Sequence, residues 1–220
     1  PLYLYRLLST RPGNAIEQSF AKVDAVTAPD TQAREAMSKP LSALQAWASS
    51  NQQPALAELC SEYAAHSQSG ITRLLNGPTG ERNSYAILPR EHVLCLAEVE
   101  SDLLTQLAAV LAVGSSAVLP QSELAKALLA RLPKEVQARI TLVADWTKDD
   151  VIFDAVLHHG DCDQLRDVCQ QVAQRAGAIV GVQGLSQGET NIALERLVIE
   201  RALSVNTAAA GGNASLMTIG

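Results

Sequence analysis

Five short apolar runs, spread over residues 92–182 and separated mostly by helical patterns, constrain this chain more than any other feature. They occupy 92–97, 117–119, 140–144, 152–157 and 178–182. Runs this short and this apolar suit strands buried on both faces, and helices between them make the strands parallel. The expected fold class is therefore α/β: a Rossmann-like parallel sheet with helices on both faces. The helices carry their own punctuation. A helix over 101–113 turns Leu103, Leu104, Leu107, Val110 and Leu111 inward and closes at Gly114. Ser122 caps a helix carrying Leu124, Leu128, Leu129 and Leu132, which Pro133 stops. Asp161 and Gln164 have capping-box spacing ahead of the stripe Leu165, Val168, Cys169, Val172, Ala173 and Ala176, with Gly177 beyond it.

Before the sheet region lies a mainly helical arm. Pro29 and Pro40 read as breakers, after which Leu41, Leu44, Trp47 and Ala48 fall at helical spacing. Pro54 suits the first turn of another helix, with Leu56, Leu59, Cys60, Tyr63 and Ala64 on one face. Asn76-Gly77-Pro78-Thr79-Gly80 signals a loop. After the sheet, residues 192–206 fit either a strand pair or a short helix leading into a strand, and the strand pair is preferred. The expected division is 1–75 (arm), 76–185 (Rossmann-like domain) and 186–220 (strand or hairpin and tail).

Charge and cysteine usage remove several function classes. The net charge is −6, without a dense Lys/Arg block, so direct nucleic-acid binding by this chain is not expected. No apolar run is long enough to span a bilayer. Cys60, Cys95, Cys162 and Cys169 contain no C-x-x-C pair, which argues against zinc; buried reduced thiols suit a cytoplasmic protein.

A nucleotide site on such a sheet needs a glycine-rich turn and a free helix N-terminus. There is no G-x-G-x-x-G, and Gly181, Gly184 and Gly188 are too widely spaced. The nearest turn, His158-His159-Gly160-Asp161-Cys162-Asp163, has one glycine and two carboxylates that would repel a phosphate. A Cys162–histidine nucleophile pair fares no better. Adjacent strand residues face opposite ways, and flanking aspartates disfavour a thiolate. The simpler expectation is a capped turn with exposed histidines. Asp149 and Asp150 read as solvated loop, Glu195, Arg196, Glu200 and Arg201 as surface ion pairs, and Trp47 and Trp146 as packing anchors. No catalytic, cofactor-binding or metal-binding residue is assigned.

The tail is unusual. Residues 207–220 hold four alanines, three glycines and no charge. Leu203, Val205, Leu216, Met217 and Ile219 would serve a solvated linker poorly, and Gly211-Gly212-Asn213 permits a tight turn. The segment suits folding back onto the body or a partner. The string SVNTAAAGGNASLMTIG resembles the C-terminal motif of the long forms of the proline utilization A family. PLYLYRLL at 1–8 resembles the end of that family's aldehyde dehydrogenase domain, and GPTGERN at 77–83 with residues 93–111 resembles its C-terminal domain.

The resemblance implies that the chain is cut from a longer polypeptide. That parent would oxidise proline with FAD and then glutamate semialdehyde with NAD, giving glutamate. It implies a degenerate domain of the aldehyde dehydrogenase superfamily that itself binds no cofactor. Leu119-Pro120 stands where active members have Lys-Pro, and Gly160-Asp161-Cys162 where they have a Gly-Ser-Thr phosphate turn. It further implies that the partner is the aldehyde dehydrogenase domain of the same parent, on which Ser204, Val205, Asn206, Thr207, Gly211, Gly212, Asn213, Leu216, Met217 and Ile219 dock as a lid sealing the intermediate's path. The parent is expected to be a cytoplasmic homo-oligomer. Some long forms also bind DNA through a distant N-terminal segment, and peripheral inner-membrane association is a further expectation. The alternatives are a nucleotide-binding regulatory module and an oligomerisation domain.

Overall fold

The computed structural model describes residues 31–77 and 80–206, which fall into two compact units. The larger holds residues 31–69 and 89–199; the smaller holds 70–77, 80–88 and 200–206.

Two helices open the larger unit, α1 (Thr31–Ser50) and α2 (Pro54–His66). Leu41, Leu44 and Ala48 of α1 are buried, as are Leu56, Leu59, Cys60 and Tyr63 of α2, whereas Ala64 is exposed. Pro40 does not break α1, contrary to expectation; the helix runs through it. An internal proline costs about 3 kcal/mol. Burial of Pro40 itself with Leu41, Leu44 and Ala48 offsets that cost.

The sheet follows as β3 (His92–Leu96), α3 (Glu100–Val113), β4 (Ser116–Pro120), α4 (Glu123–Arg131), the single turn α5 (Lys134–Gln137), β5 (Ile140–Val143), β6 (Ala155–His159), α6 (Cys162–Gln174) and β7 (Gly181–Leu185). Its order is β5-β4-β3-β6-β7, and every pair is parallel. The order turns back at β3, so β3 and β6 flank the topological switch point. All five expected strands exist. Two are displaced: the apolar runs at 152–157 and 178–182 overshoot β6 and β7 at their N-terminal sides, where Ile152 and Ile179 are exposed. Strand pairing, not apolar content, fixes the ends: β6 continues through His158 and His159 to pair with Gly184 and Leu185.

Strand alternation sorts the core into two layers. Leu94, Val118 and Val156 lie in register across β3, β4 and β6, and pack with Phe153 and with Val168 and Val172 of α6. The opposite face carries Cys95, Leu119 and Leu157, all buried. There α3 packs on β3 and β4 and is covered by α1 and α2. That double cover explains why α3 is buried almost all round. The caps match expectation: Gly114 adopts φ 85° at the end of α3, and Ser122 Oγ accepts from Ala125 N at 3.0 Å. On α6 only Val168 and Val172 are buried; Cys169, Ala173 and Ala176 are exposed, because just one edge of the expected stripe meets the sheet.

Most of the smaller unit is a second sheet, of which only the last strand, within 192–206, was expected from residue patterns. β1 (Thr72–Leu75) pairs antiparallel with β2 (Glu81–Pro89), with Asn76, Gly77 and Gly80 of the loop signal between them. β8 (Val198–Asn206) is the other neighbour of β2. Residues 192–206 are therefore not a strand pair. A 3₁₀ turn, Leu194–Leu197, buries Leu194 and Leu197 and leads into one strand.

Candidate functional site

A crevice of about 390 Å³ lies at the carboxyl ends of β3, β4 and β6, where ligands bind in open sheets of this kind. Leu119, Pro120, Trp146 and Val168 give it apolar walls; Glu98, His158 and Asp167 bring polar groups to it.

The histidines are buried, not exposed as expected. His158 is 6% and His159 4% accessible, because both lie within β6 and not in the turn after it. They face opposite ways, as strand geometry requires. His159 turns toward α3. Its Nδ1 accepts from Gln106 Nε2 at 2.8 Å, and its Nε2–H donates to the Glu189 carbonyl at 2.8 Å. Gln106, fully buried, also donates to the Leu96 carbonyl at 3.0 Å. His158 is differently placed. Burial, and secondarily the neighbouring His159, hold its pKa below the usual histidine value, while Asp161 and Glu98 pull the other way. Its Nδ1 is buried without a hydrogen-bond partner among the described residues.

The phosphate-binding test is decided at the next three residues. Gly160 has no spare room: a Cβ there would lie 2.5 Å from His158 Cε1 and 2.5 Å from Gln164 Oε1. Asp161 Oδ1 accepts from Asp163 N at 2.9 Å and from Gln164 N at 2.8 Å. Gln164 Oε1 accepts in return from Asp161 N at 3.0 Å. The amides a phosphate would need at the start of α6 are thus already bonded, and a carboxylate sits where the anion would go. Leu119 and Pro120 end β4 with no cation. The residues present do not fit a dinucleotide pyrophosphate.

Cys162 and Cys169 are exposed and lie on α6, away from either histidine's hydrogen bonds; Cys60 and Cys95 are buried. Burial pushes the Cys60 thiol up to about 12 and the Cys95 thiol up as well. No group of three His, Cys, Asp or Glu side chains is placed to hold a metal ion among the described residues. No helix there is long and apolar enough to cross a membrane. Of the expected docking residues, Ser204 and Val205 are exposed on β8 and Asn206 ends it; Thr207, Gly211, Gly212, Asn213, Leu216, Met217 and Ile219 lie outside the described residues.

Two things were missed from sequence. One is the tether of residues 186–190: Asp102 Oδ1 accepts from Gly188 N at 3.0 Å, and Tyr63 Oη donates to the Thr190 carbonyl. The other is Arg175, which binds three carbonyls of the β5–β6 connection, those of Trp146, Lys148 and Val151. Neither has a sequence signal, since each partner is distant along the chain.

No family model matches the chain. It is 55% identical over 220 residues to the bifunctional protein PutA of Escherichia coli (strain K12), covering 100% of this chain and 16% of that protein. It is 35% identical over 225 residues to the bifunctional protein PutA of Rhizobium meliloti, covering 100% of this chain and 17% of that protein. The chain thus spans about one sixth of the length of these curated relatives. Among solved structures, a Bradyrhizobium japonicum proline utilization A mutant aligns at TM-score 0.46 and 20% identity, over 60% of this chain and 15% of that one. A substrate-bound Staphylococcus aureus AldH aligns at TM-score 0.49 and 13% identity, over 67% and 40%.

Proposed function

Because this chain belongs to the PutA family, as the counterpart of about one sixth of those proteins, we propose that it is a non-catalytic C-terminal domain of a proline-catabolic enzyme. The parent converts proline to glutamate in two oxidations, by a FAD-dependent proline dehydrogenase and a NAD-dependent glutamate semialdehyde dehydrogenase. Both cofactors belong to other domains of the parent, a cytoplasmic homo-oligomer. The present chain supports the aldehyde dehydrogenase domain, and its residues 204–220 cover that domain and seal the route of the intermediate. The division into 1–75, 76–185 and 186–220 belongs to the same reading.

One observation carries the non-catalytic part. The start of α6 is closed by its own Asp161–Gln164 capping box, beside a turn with a single glycine. A Rossmann-like sheet confers no activity by itself, and this one lacks the phosphate cradle that would supply it. The lid part is supported by the composition of the tail and by the exposed apolar side chains Ile199, Leu203 and Val205 of β8, which leads into it. Sealing suits the chemistry, because an intermediate exposed to solvent escapes.

Removal of residues 204–220 from the full parent should depress NADH formation from proline and aldehyde dehydrogenase turnover, with flavin-dependent proline oxidation largely intact. Unchanged coupled NADH formation would overturn the lid. Calorimetric titration of the 220-residue chain with NAD should show no heat; saturable binding would favour a nucleotide-binding regulatory module. Sedimentation of the parent with and without this region separates an oligomerisation domain from both.

A further inference from the structure

We propose that residues 186–197 are a pinned root for the lid, and that Tyr63, Asp102, His159 and Arg90 are the positioning residues that hold it. The inference rests on the reading of residues 204–220 as a lid, and adds to it the device that aims the chain. The main chain at 188–190 is held at each residue in turn by side chains from three elements of the larger unit. Asp102 of α3 accepts from Gly188 N at 3.0 Å, His159 of β6 donates to the Glu189 carbonyl at 2.8 Å, and Tyr63 of α2 donates to the Thr190 carbonyl. All three are buried: Asp102 is 3%, His159 4% and Tyr63 5% accessible. Gln106, fully buried, holds His159 by its other ring nitrogen. Arg90 fastens the far end. Its N–H donates to the Leu197 carbonyl at 2.9 Å, and its Nε donates to the Arg196 carbonyl at 3.0 Å. β8 begins at the next residue, Val198, and leads to residues 204–220.

Keeping this connector folded does not require such an arrangement. Apolar packing stabilises a segment without it, and buried Ile192, Leu194 and Leu197 already supply that packing. A buried polar side chain carries a desolvation cost, and its hydrogen bond forms in one geometry only. What the three side chains add is therefore a fixed backbone path. Gly188 agrees with this. Its φ is +77°, and a Cβ there would meet nothing within 4 Å, so the position needs glycine for conformation and not for space. A lid whose root is held in one orientation loses less freedom on docking than one on a loose connector. The positioning residues thus act on the dehydrogenase through the tail, without touching the reacting atoms.

The test is made in the full parent, with NADH formation from proline as the readout. Tyr63→Phe removes only the hydroxyl, and Asp102→Ala removes the acceptor of Gly188 N. Each should lower that rate about two- to tenfold, the range that one buried hydrogen bond commands, and leave flavin-dependent proline oxidation intact. Asp102→Asn keeps an acceptor oxygen and should retain most of the rate. In a parent already lacking residues 204–220, Tyr63→Phe and Asp102→Ala should change nothing further, because a residue that acts only through the tail then has nothing to act on. Losses that recur undiminished without the tail would mark a merely structural role and overturn the proposal. Full activity of both variants, where removal of the tail is damaging, would also overturn it while leaving the lid standing. If removal of the tail is harmless, the lid falls and this inference falls with it. Where Asp102→Ala does not fold, Tyr63→Phe decides alone.

Discussion

Asp161 and Gln164 hold each other across the first turn of α6: the Asp161 carboxylate accepts from Gln164 N at 2.8 Å, and the Gln164 side chain accepts from Asp161 N at 3.0 Å. The arrangement satisfies amides that the helix leaves without internal partners. Asp161→Ala should therefore destabilise the chain by about 1 kcal/mol, while Asp161→Ser retains most of the cap. Urea denaturation at constant slope measures both.

Gly160 is required for space. A methyl group there would press on the His158 ring and on the Gln164 side chain that completes the cap, each 2.5 Å away. Neither can retreat freely, since the ring is buried in the crevice wall and the amide is committed to Asp161. Gly160→Ala should cost about 1–3 kcal/mol, the range for overpacking. Gly177 offers a contrast: a Cβ there meets nothing within 4 Å, and only its φ of +108° opposes substitution. Thermal melts of the two variants should rank Gly160→Ala as the more damaging.

Thiol chemistry should divide the cysteines two and two. Cys162 and Cys169 are exposed on α6, and a disulfide-exchange reagent at neutral pH should label them rapidly. Cys60, with its thiol pushed up to about 12, and Cys95, raised by complete burial, should stay unlabelled until the chain is unfolded. Fast labelling of three or four thiols in the native state would contradict the burial of α2 and β3.

His158 gives the stability a pH dependence of definite sign. Its folded-state pKa lies below the ordinary value of 6.5, chiefly because burial disfavours the charged ring. Below that value the unfolded chain takes up the proton and the folded chain resists it. The contribution is therefore complete above 6.5 and is lost as the pH falls below it. Denaturation midpoints between neutral and mildly acidic pH should fall for the wild-type chain and fall less for His158→Phe. Parallel slopes would remove His158 as the cause.

The α/β class and the five parallel strands were legible because their signals are local: apolar runs, a glycine at the end of α3, a serine ahead of α4, the Asp161–Gln164 spacing ahead of α6. The misreadings share a different cause. β1 and β2 show no alternation of apolar and polar residues and exist through pairing, β1 with β2 and β2 with β8, which lies more than a hundred residues away. Pro40 misled because helix breaking is a local cost and burial of its neighbours is not. The histidines were placed in the turn when β6 in fact carries both, since the register with Gly184 and Leu185 decides where the strand ends. The closed start of α6 was readable, because the aspartate that excludes a phosphate is the same residue that caps the helix. The crevice's carboxylates were not, because Glu98 and Asp167 meet only through the fold.

Arg175 supports the last prediction. It stands just past the end of α6, and its guanidinium donates to the carbonyls of Trp146 at 2.7 Å, Lys148 at 2.5 Å and Val151. It also lies 4.4 Å from the centre of the Phe153 ring, which meets Trp146 edge-on at 6.3 Å. One side chain thus fastens the long connection between β5 and β6 and sets Trp146 against the crevice. A lysine keeps the charge but cannot reach three acceptors with a planar fork, nor stack as a guanidinium does. Arg175→Lys should cost about 2 kcal/mol, since several part-buried carbonyls lose a charged donor at once. Tryptophan emission should report the loss specifically: the chain has two tryptophans, and only Trp146 belongs to this connection. A red shift in Arg175→Lys that disappears in a Trp146→Phe background would place the change at Trp146, whereas unchanged emission and stability would mean that the connection is held by its own turns.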